Sequence, residues 1–215
     1  MSQIVVCQNA KGIVLAADGM AVDVNVEGQL VYHTVDRLIQ LSQRAAILAG
    51  GVAESVQMCH ALKNFIKEEG LDTVEDICAA ALPFLGTEFE RFMRNRCDTL
   101  PVDPIHHVYF ILAGQMGKDR ERPYRSYFIW TKKRLPQLDS DEIGLAYSVP
   151  RIMGLEVRLG RLCSANSNLN DMLSEIVKTV EEKAGREDEI GPPFSYAFIT
   201  REGFKKIDHR RIDRP

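Results

Sequence analysis

The chain has 215 residues, 45% of them hydrophobic, which is enough to bury a full core as one domain spanning residues 1–215. Its 27 basic residues are scattered among 30 acidic ones for a net charge of −3, so no basic stripe makes an electrostatic case for nucleic acid. Five cysteines with no CxxC pair, no signal-peptide pattern and no apolar run near the roughly 18 residues that span a bilayer point to a reduced, cytoplasmic protein without a membrane segment.

The first quarter reads as strands: "QIVVCQ", "GIVLAAD" and "RAAILAGG" are apolar runs of strand length bounded by Asn, Gly and Asp. "GQLVYHTVDRLIQLS" alternates in part, as a sheet with one covered face does. A helix follows from Ala53 to Glu69, with Val56, Cys59, Leu62, Phe65 and Ile66 on one stripe and Gly70 at its end. Asp72 or Thr73 caps a second helix, bent at Pro83, in which Ile77, Ala80, Ala81, Phe84, Phe92 and Met93 recur at helical spacing. Strands return at "HHVYFILAG" and "RSYFIWTKK", an antiparallel pair. Two helices, roughly 150–162 and 170–184, precede strands at "FSYAFITR" and "FKKID". Strand runs separated by helix pairs, without βαβ alternation, predict an antiparallel α+β fold with a helix pair on each face of two stacked sheets.

This order, with "GIVLAADG" near the start, "AILAGGVAES" entering the first helix, "ILAG" at 111–114 and "AFITREG" late, resembles the proteasome β-subunit family and its bacterial ring-protease relatives. The resemblance runs over nearly the whole chain. It implies a four-layer αββα sandwich, the N-terminal-nucleophile (Ntn) hydrolase fold, in a homo-oligomeric ring that cleaves polypeptides within a chamber. It calls for no cofactor and no metal, and it leaves any ATPase regulator unspecified.

Such enzymes use the hydroxyl of the first mature residue as nucleophile and its α-amine as base. An internal amide nitrogen has no basic lone pair, whereas an α-amine titrates near about 7.7–8.0. Anchored on Asp18, the resemblance places the nucleophile at Ser2, exposed by removal of Met1. Serine keeps the hydroxyl but lacks the γ-methyl that stiffens χ1 in threonine. Asp18 corresponds to the acid beside the nucleophile, although Asp-Gly after a strand is also an ordinary turn. Gly50, with Gly51, corresponds to the glycine whose N–H forms the oxyanion hole at the entry to the first helix. Ser148 stands where the family has a serine near the terminal amine, and the supporting acid falls at Glu187 or Asp188, with Ile190 where a serine would follow.

The departure is a lysine. Ungapped counting puts Thr34 at the place of the lysine that pairs with the acid, and no lysine lies between Lys11 and Lys63. His33 and Arg37 are the nearby basic residues, and His33 requires a one-residue slip that turns a strand side chain to the opposite face. Without a cation beside Asp18 the α-amine's pKa rises and its neutral fraction falls. Three readings follow: a peptidase working through Ser2, a catalytically silent ring or scaffold subunit, and a small-amide hydrolase on the same sandwich. His106 and His107 are adjacent and would face opposite sides of a strand, so they make no shared metal site.

Overall fold

In the computed structural model, residues 2–24, 29–96, 108–119, 121–131, 137–186 and 190–208 are described. Strands β1 (Ile4–Asn9) and β2 (Gly12–Ala17) form an antiparallel hairpin, flanked by β10 (Ala146–Val149) on one side and by β11 (Ser195–Thr200) and β12 (Gly203–Ile207) on the other. The second sheet runs in the order β5 (Leu38–Gln40), β6 (Ala45–Gly51), β7 (Val108–Gln115), β8 (Tyr124–Trp130) and β9 (Asp139–Ile143), all antiparallel. A two-stranded hairpin, β3 (Met20–Val24) with β4 (Leu30–Thr34), stands apart from both. The helices are α1 (Glu54–Glu69), α2 (Val74–Arg96), α3 (Met153–Ser164) and α4 (Leu169–Ala184).

The core residues sort into three layers by strand parity, since successive side chains point to opposite faces. Ile4, Val6, Ile13 and Leu15 of the first sheet meet Ala46, Leu48, Ile111 and Ala113 of the second in the central layer. On the far side of the first sheet, Val5, Cys7, Val14 and Ala16 pack against α3 and α4. On the far side of the second, Ala45, Ile47, Phe110 and Leu112 pack against α1 and α2. Three apolar layers between four layers of structure make the αββα sandwich expected from the sequence.

Gly70 ends α1 in the left-handed region at φ 66°, where its N–H reaches Ile66 and Lys67 carbonyls. Pro83 lies inside α2 rather than ending it. The strands at 139–143 and 146–149 were not predicted. β9, "DSDEI", is an acidic edge strand whose outer rim faces water, so it lacks the apolar alternation that marks a covered strand. The alternating 29–42 segment is divided, with β4 in the separate hairpin and β5 in the second sheet. Among the described residues, no helix is long and apolar enough to cross a membrane.

Candidate active site

Parity also builds the site. Ser2 continues the inward register of Ile4 and Val6, and Tyr109 continues that of Ile111 and Ala113 from the opposite sheet. Their hydroxyls meet at the end of the central layer, Ser2 Oγ to Tyr109 Oη at 2.9 Å. The Gly51 N–H donates to Ser2 Oγ at 2.9 Å, and the Tyr109 hydroxyl donates to the Ser2 carbonyl at 3.3 Å. Ser2 is 1% exposed.

Two glycines make this approach possible. Gly51 ends β6 at φ 89°, a conformation that side chains disfavour, and its N–H points to Ser2. Gly50 is the cross-strand partner of Tyr109, and a Cβ there would lie 1.9 Å from Tyr109 Cε2. The tyrosine ring therefore occupies the space that any other residue at position 50 would fill. Of the two glycines expected at the oxyanion hole, Gly50 and Gly51, the amide aimed at Ser2 Oγ is that of Gly51.

Asp18 follows β2 and is buried beneath the Ser2–Gln3 peptide. Its Oδ1 accepts the Gln3 N–H at 2.8 Å, and its own N–H donates to the Gln3 carbonyl at 3.0 Å. Lys183, in the last turn of α4, donates to Gln3 Oε1 at 2.9 Å, and Gln3 Nε2 donates to the Pro150 carbonyl. The residue after Ser2 is thus held on both its main chain and its side chain.

The cation beside Asp18 is Arg37, with Nε 3.7 Å from Asp18 Oδ1. This distance makes a charge pair rather than a hydrogen bond. Arg37 is 2% exposed, and its other nitrogens reach the Met20 carbonyl at 3.1 Å and the Gly51 carbonyl at 3.5 Å. Thr34, at the position reached by ungapped counting, is exposed on β4 opposite Met20, and His33 on the same strand pairs with Ala21. The chain leaves β4 after Thr34 and passes through 35–37, outside regular strand, before joining the second sheet at β5. Position 37, not 34, reaches Asp18.

Burial dominates the electrostatics. It raises the Asp18 carboxyl to about 6, against the opposing pull of the Gln3 N–H and the Arg37 charge. Burial also lowers Arg37 from its usual value, with Asp18 pulling the other way. A carboxyl raised from about 3.9 in the unfolded chain binds more protons when folded. Its contribution is therefore fully present below about pH 4 and is lost as pH rises through the folded value of about 6. In urea unfolding, the parent is expected to lose roughly 3 kcal/mol across this window relative to an Asp18→Asn variant. A parent-minus-variant difference that stays flat across it rules the assignment out.

Ser148 is not brought to Ser2 by any hydrogen bond described. It lies on β10 opposite Val5, whose parity faces the helices, and its hydroxyl donates to Glu156 Oε1 at 2.7 Å while accepting the Ile152 N–H at 2.8 Å. Arg151 closes this network on Glu156. The cluster ties the start of α3 to the first sheet, and its bonding departs from a serine supporting the terminal amine. Asp188 and Glu187 lie outside the described residues, as do His106 and His107, and Ile190 is buried. Among the described residues, no group of three or more His, Cys, Asp and Glu is placed to hold a metal.

No family profile matches the chain, and no curated protein matches it. Among solved structures it is similar to that of the helical assembly of the Anbu complex from Pseudomonas aeruginosa, with TM-score 0.73 and 14% identity over 95% of this chain and 86% of that one. It is also similar to Anbu (ancestral beta-subunit) from Yersinia bercovieri, with TM-score 0.65 and 14% identity over 98% of this chain and 89% of that one. These likenesses show the fold, an Ntn-like αββα sandwich. They correct the resemblance read from the sequence: the neighbours are Anbu (ancestral beta-subunit) proteins rather than proteasome β-subunits.

Proposed function

We propose that the protein is a self-assembling N-terminal-nucleophile hydrolase on the Anbu-type fold, cleaving peptide bonds with Ser2 once Met1 has been removed. The observation that carries this reading is the Gly51 N–H on Ser2 Oγ beside a buried Asp18–Arg37 pair. In the reaction, Ser2 Oγ attacks the substrate carbonyl carbon and its proton passes to the freed α-amine. The carbonyl π pair moves onto oxygen, and collapse expels the leaving amine with that proton. Water then hydrolyses the acyl-serine, with the α-amine again as base.

Each neighbour has a physical task in this scheme. Arg37 moves no proton; its fixed charge lowers the pKa of a nearby amine and enlarges the neutral fraction that acts as base. Asp18 holds the Ser2–Gln3 peptide by its N–H. The Gly51 N–H holds the Ser2 hydroxyl oxygen in place for attack. Assembly is supported by the helical complex formed by the Pseudomonas aeruginosa neighbour.

The second reading, a silent scaffold subunit, draws support from the burial of Ser2 at 1% exposure in the single chain. A serine-reactive β-lactone separates the two. On chain whose intact mass lacks Met1, the parent is expected to gain one probe at Ser2 and Ser2→Ala none. A parent that never labels, or a Ser2→Ala variant that labels equally, refutes the hydrolase reading.

A further inference from the structure

Tyr109 takes no part in the chemistry above, yet its hydroxyl lies 2.9 Å from the reacting oxygen. We propose that Tyr109 is a catalytic residue of the Ser2 reaction, its phenol turning from acceptor of the Ser2 proton to donor toward the Ser2 oxygen as that oxygen attacks. This rests on Ser2 being the nucleophile.

The protons assign without conflict in the resting chain. Gly51 N–H donates to Ser2 Oγ, Tyr109 O–H donates to the Ser2 carbonyl, and Ser2 O–H is left to donate to Tyr109 Oη. When the Ser2 O–H turns from Tyr109 toward the freed α-amine and gives up its proton there, the bond to Tyr109 loses its hydrogen, and a small rotation about the phenol C–O bond supplies a new one from the tyrosine side. Ser2 Oγ then receives two donors, while its remaining direction forms the C–O bond to the substrate. Tyr109 keeps its proton throughout. Burial raises its phenol above the usual value, so it is a donor and not a phenolate at neutral pH.

The hydroxyl is held by the fold rather than by a free rotamer. The ring lies across Gly50, in space a Cβ would take, and against Phe128 with centroids 6.2 Å apart. It stands on β7, between β6 and β8 in the second sheet. A serine nucleophile gives this arrangement a purpose. Without a γ-methyl its χ1 is free, and the pair of bonds from Gly51 and Tyr109 fixes the oxygen as the methyl would in threonine.

The test is the labelling rate of Met1-free protein with a β-lactone, whose acyl C–O bond opens onto Ser2 Oγ while its ring oxygen takes up a proton. Tyr109→Phe keeps the ring and removes only the hydroxyl. A hydrogen bond to a charged oxygen is worth a factor of about 10 to 100, and the loss is expected in the maximal labelling rate, with probe affinity and melting temperature near those of the parent. Adding Ser2→Thr to Tyr109→Phe is expected to recover at least about tenfold of this loss, which a general loosening of the core would not do. Labelling of Tyr109→Phe within about twofold of the parent overturns the inference alone. So does slow labelling that accompanies a fallen melting temperature and is not recovered by threonine. A parent that does not label overturns the Ser2 reading, and this inference with it.

Discussion

Replacing Arg37 with methionine is expected to cost about 3–5 kcal/mol of folding stability and to abolish probe labelling of Ser2. The size follows from burial. Asp18 is 1% exposed and Arg37 2%, so removing the guanidinium leaves a carboxylate with neither water nor a counter-charge. The carboxyl, already raised to about 6 with Arg37 present, then rises further and takes a proton near neutral pH. The contacts of Arg37 with the Met20 and Gly51 carbonyls go too, freeing the end of β6 that carries the Gly51 N–H. A double variant separates charge from packing: adding Asp18→Asn to Arg37→Met is expected to restore most of the stability but not the labelling. Chemical unfolding of the four proteins gives the coupling energy directly. An Arg37→Met variant as stable as the parent would contradict the buried pair.

The second large effect is at Gly50. A methyl there overlaps Tyr109 Cε2 at 1.9 Å, and the overlap cannot be relieved by a flexible chain end because the obstacle is a ring flanked by Phe128. Gly50→Ala is therefore expected to destabilise by about 3 kcal/mol, lowering the melting temperature by roughly 10 °C. The displaced ring takes its hydroxyl from Ser2, so labelling should slow by at least as much as in Tyr109→Phe. The combination with Tyr109→Ala, which empties the space, is expected to regain stability over Gly50→Ala alone without regaining labelling. If Gly50→Ala melts with the parent and labels at its rate, the ring is not seated as described.

The fold was largely legible because its core strands carry plain signals. "IVVC" and "GIVLAA" are buried on both faces and read as continuous apolar runs, while the stripes of α1 and α2 have helical spacing. β9 was hidden by its acidic edge composition, and β10, of four residues, is too short for its alternation to stand out. At the site, Ser2 and Asp18 were marked by chain order, with Asp18 at the end of an obvious strand. Arg37 stood among the nearby cations, yet the break between β4 and β5 at 35–37, which counting along one regular strand cannot see, selects it over Thr34 and His33. Tyr109 was missed because its contact with Ser2 spans 107 residues and depends on the β6–β7 register, for which one sequence holds no local signal. Ser148 was assigned by resemblance alone, and Glu156, one turn into α3, decides what its hydroxyl bonds.

The central claim is that Ser2, with its amine freed, is a nucleophile supported by Arg37 in place of a lysine. Intact-mass spectrometry before and after β-lactone treatment, followed by mapping of the adduct, addresses it most directly. The account predicts a mass lacking Met1 that gains a single probe on Ser2, lost in both Ser2→Ala and Arg37→Met. A Met1-free protein that gains no probe, or gains it elsewhere, would contradict it.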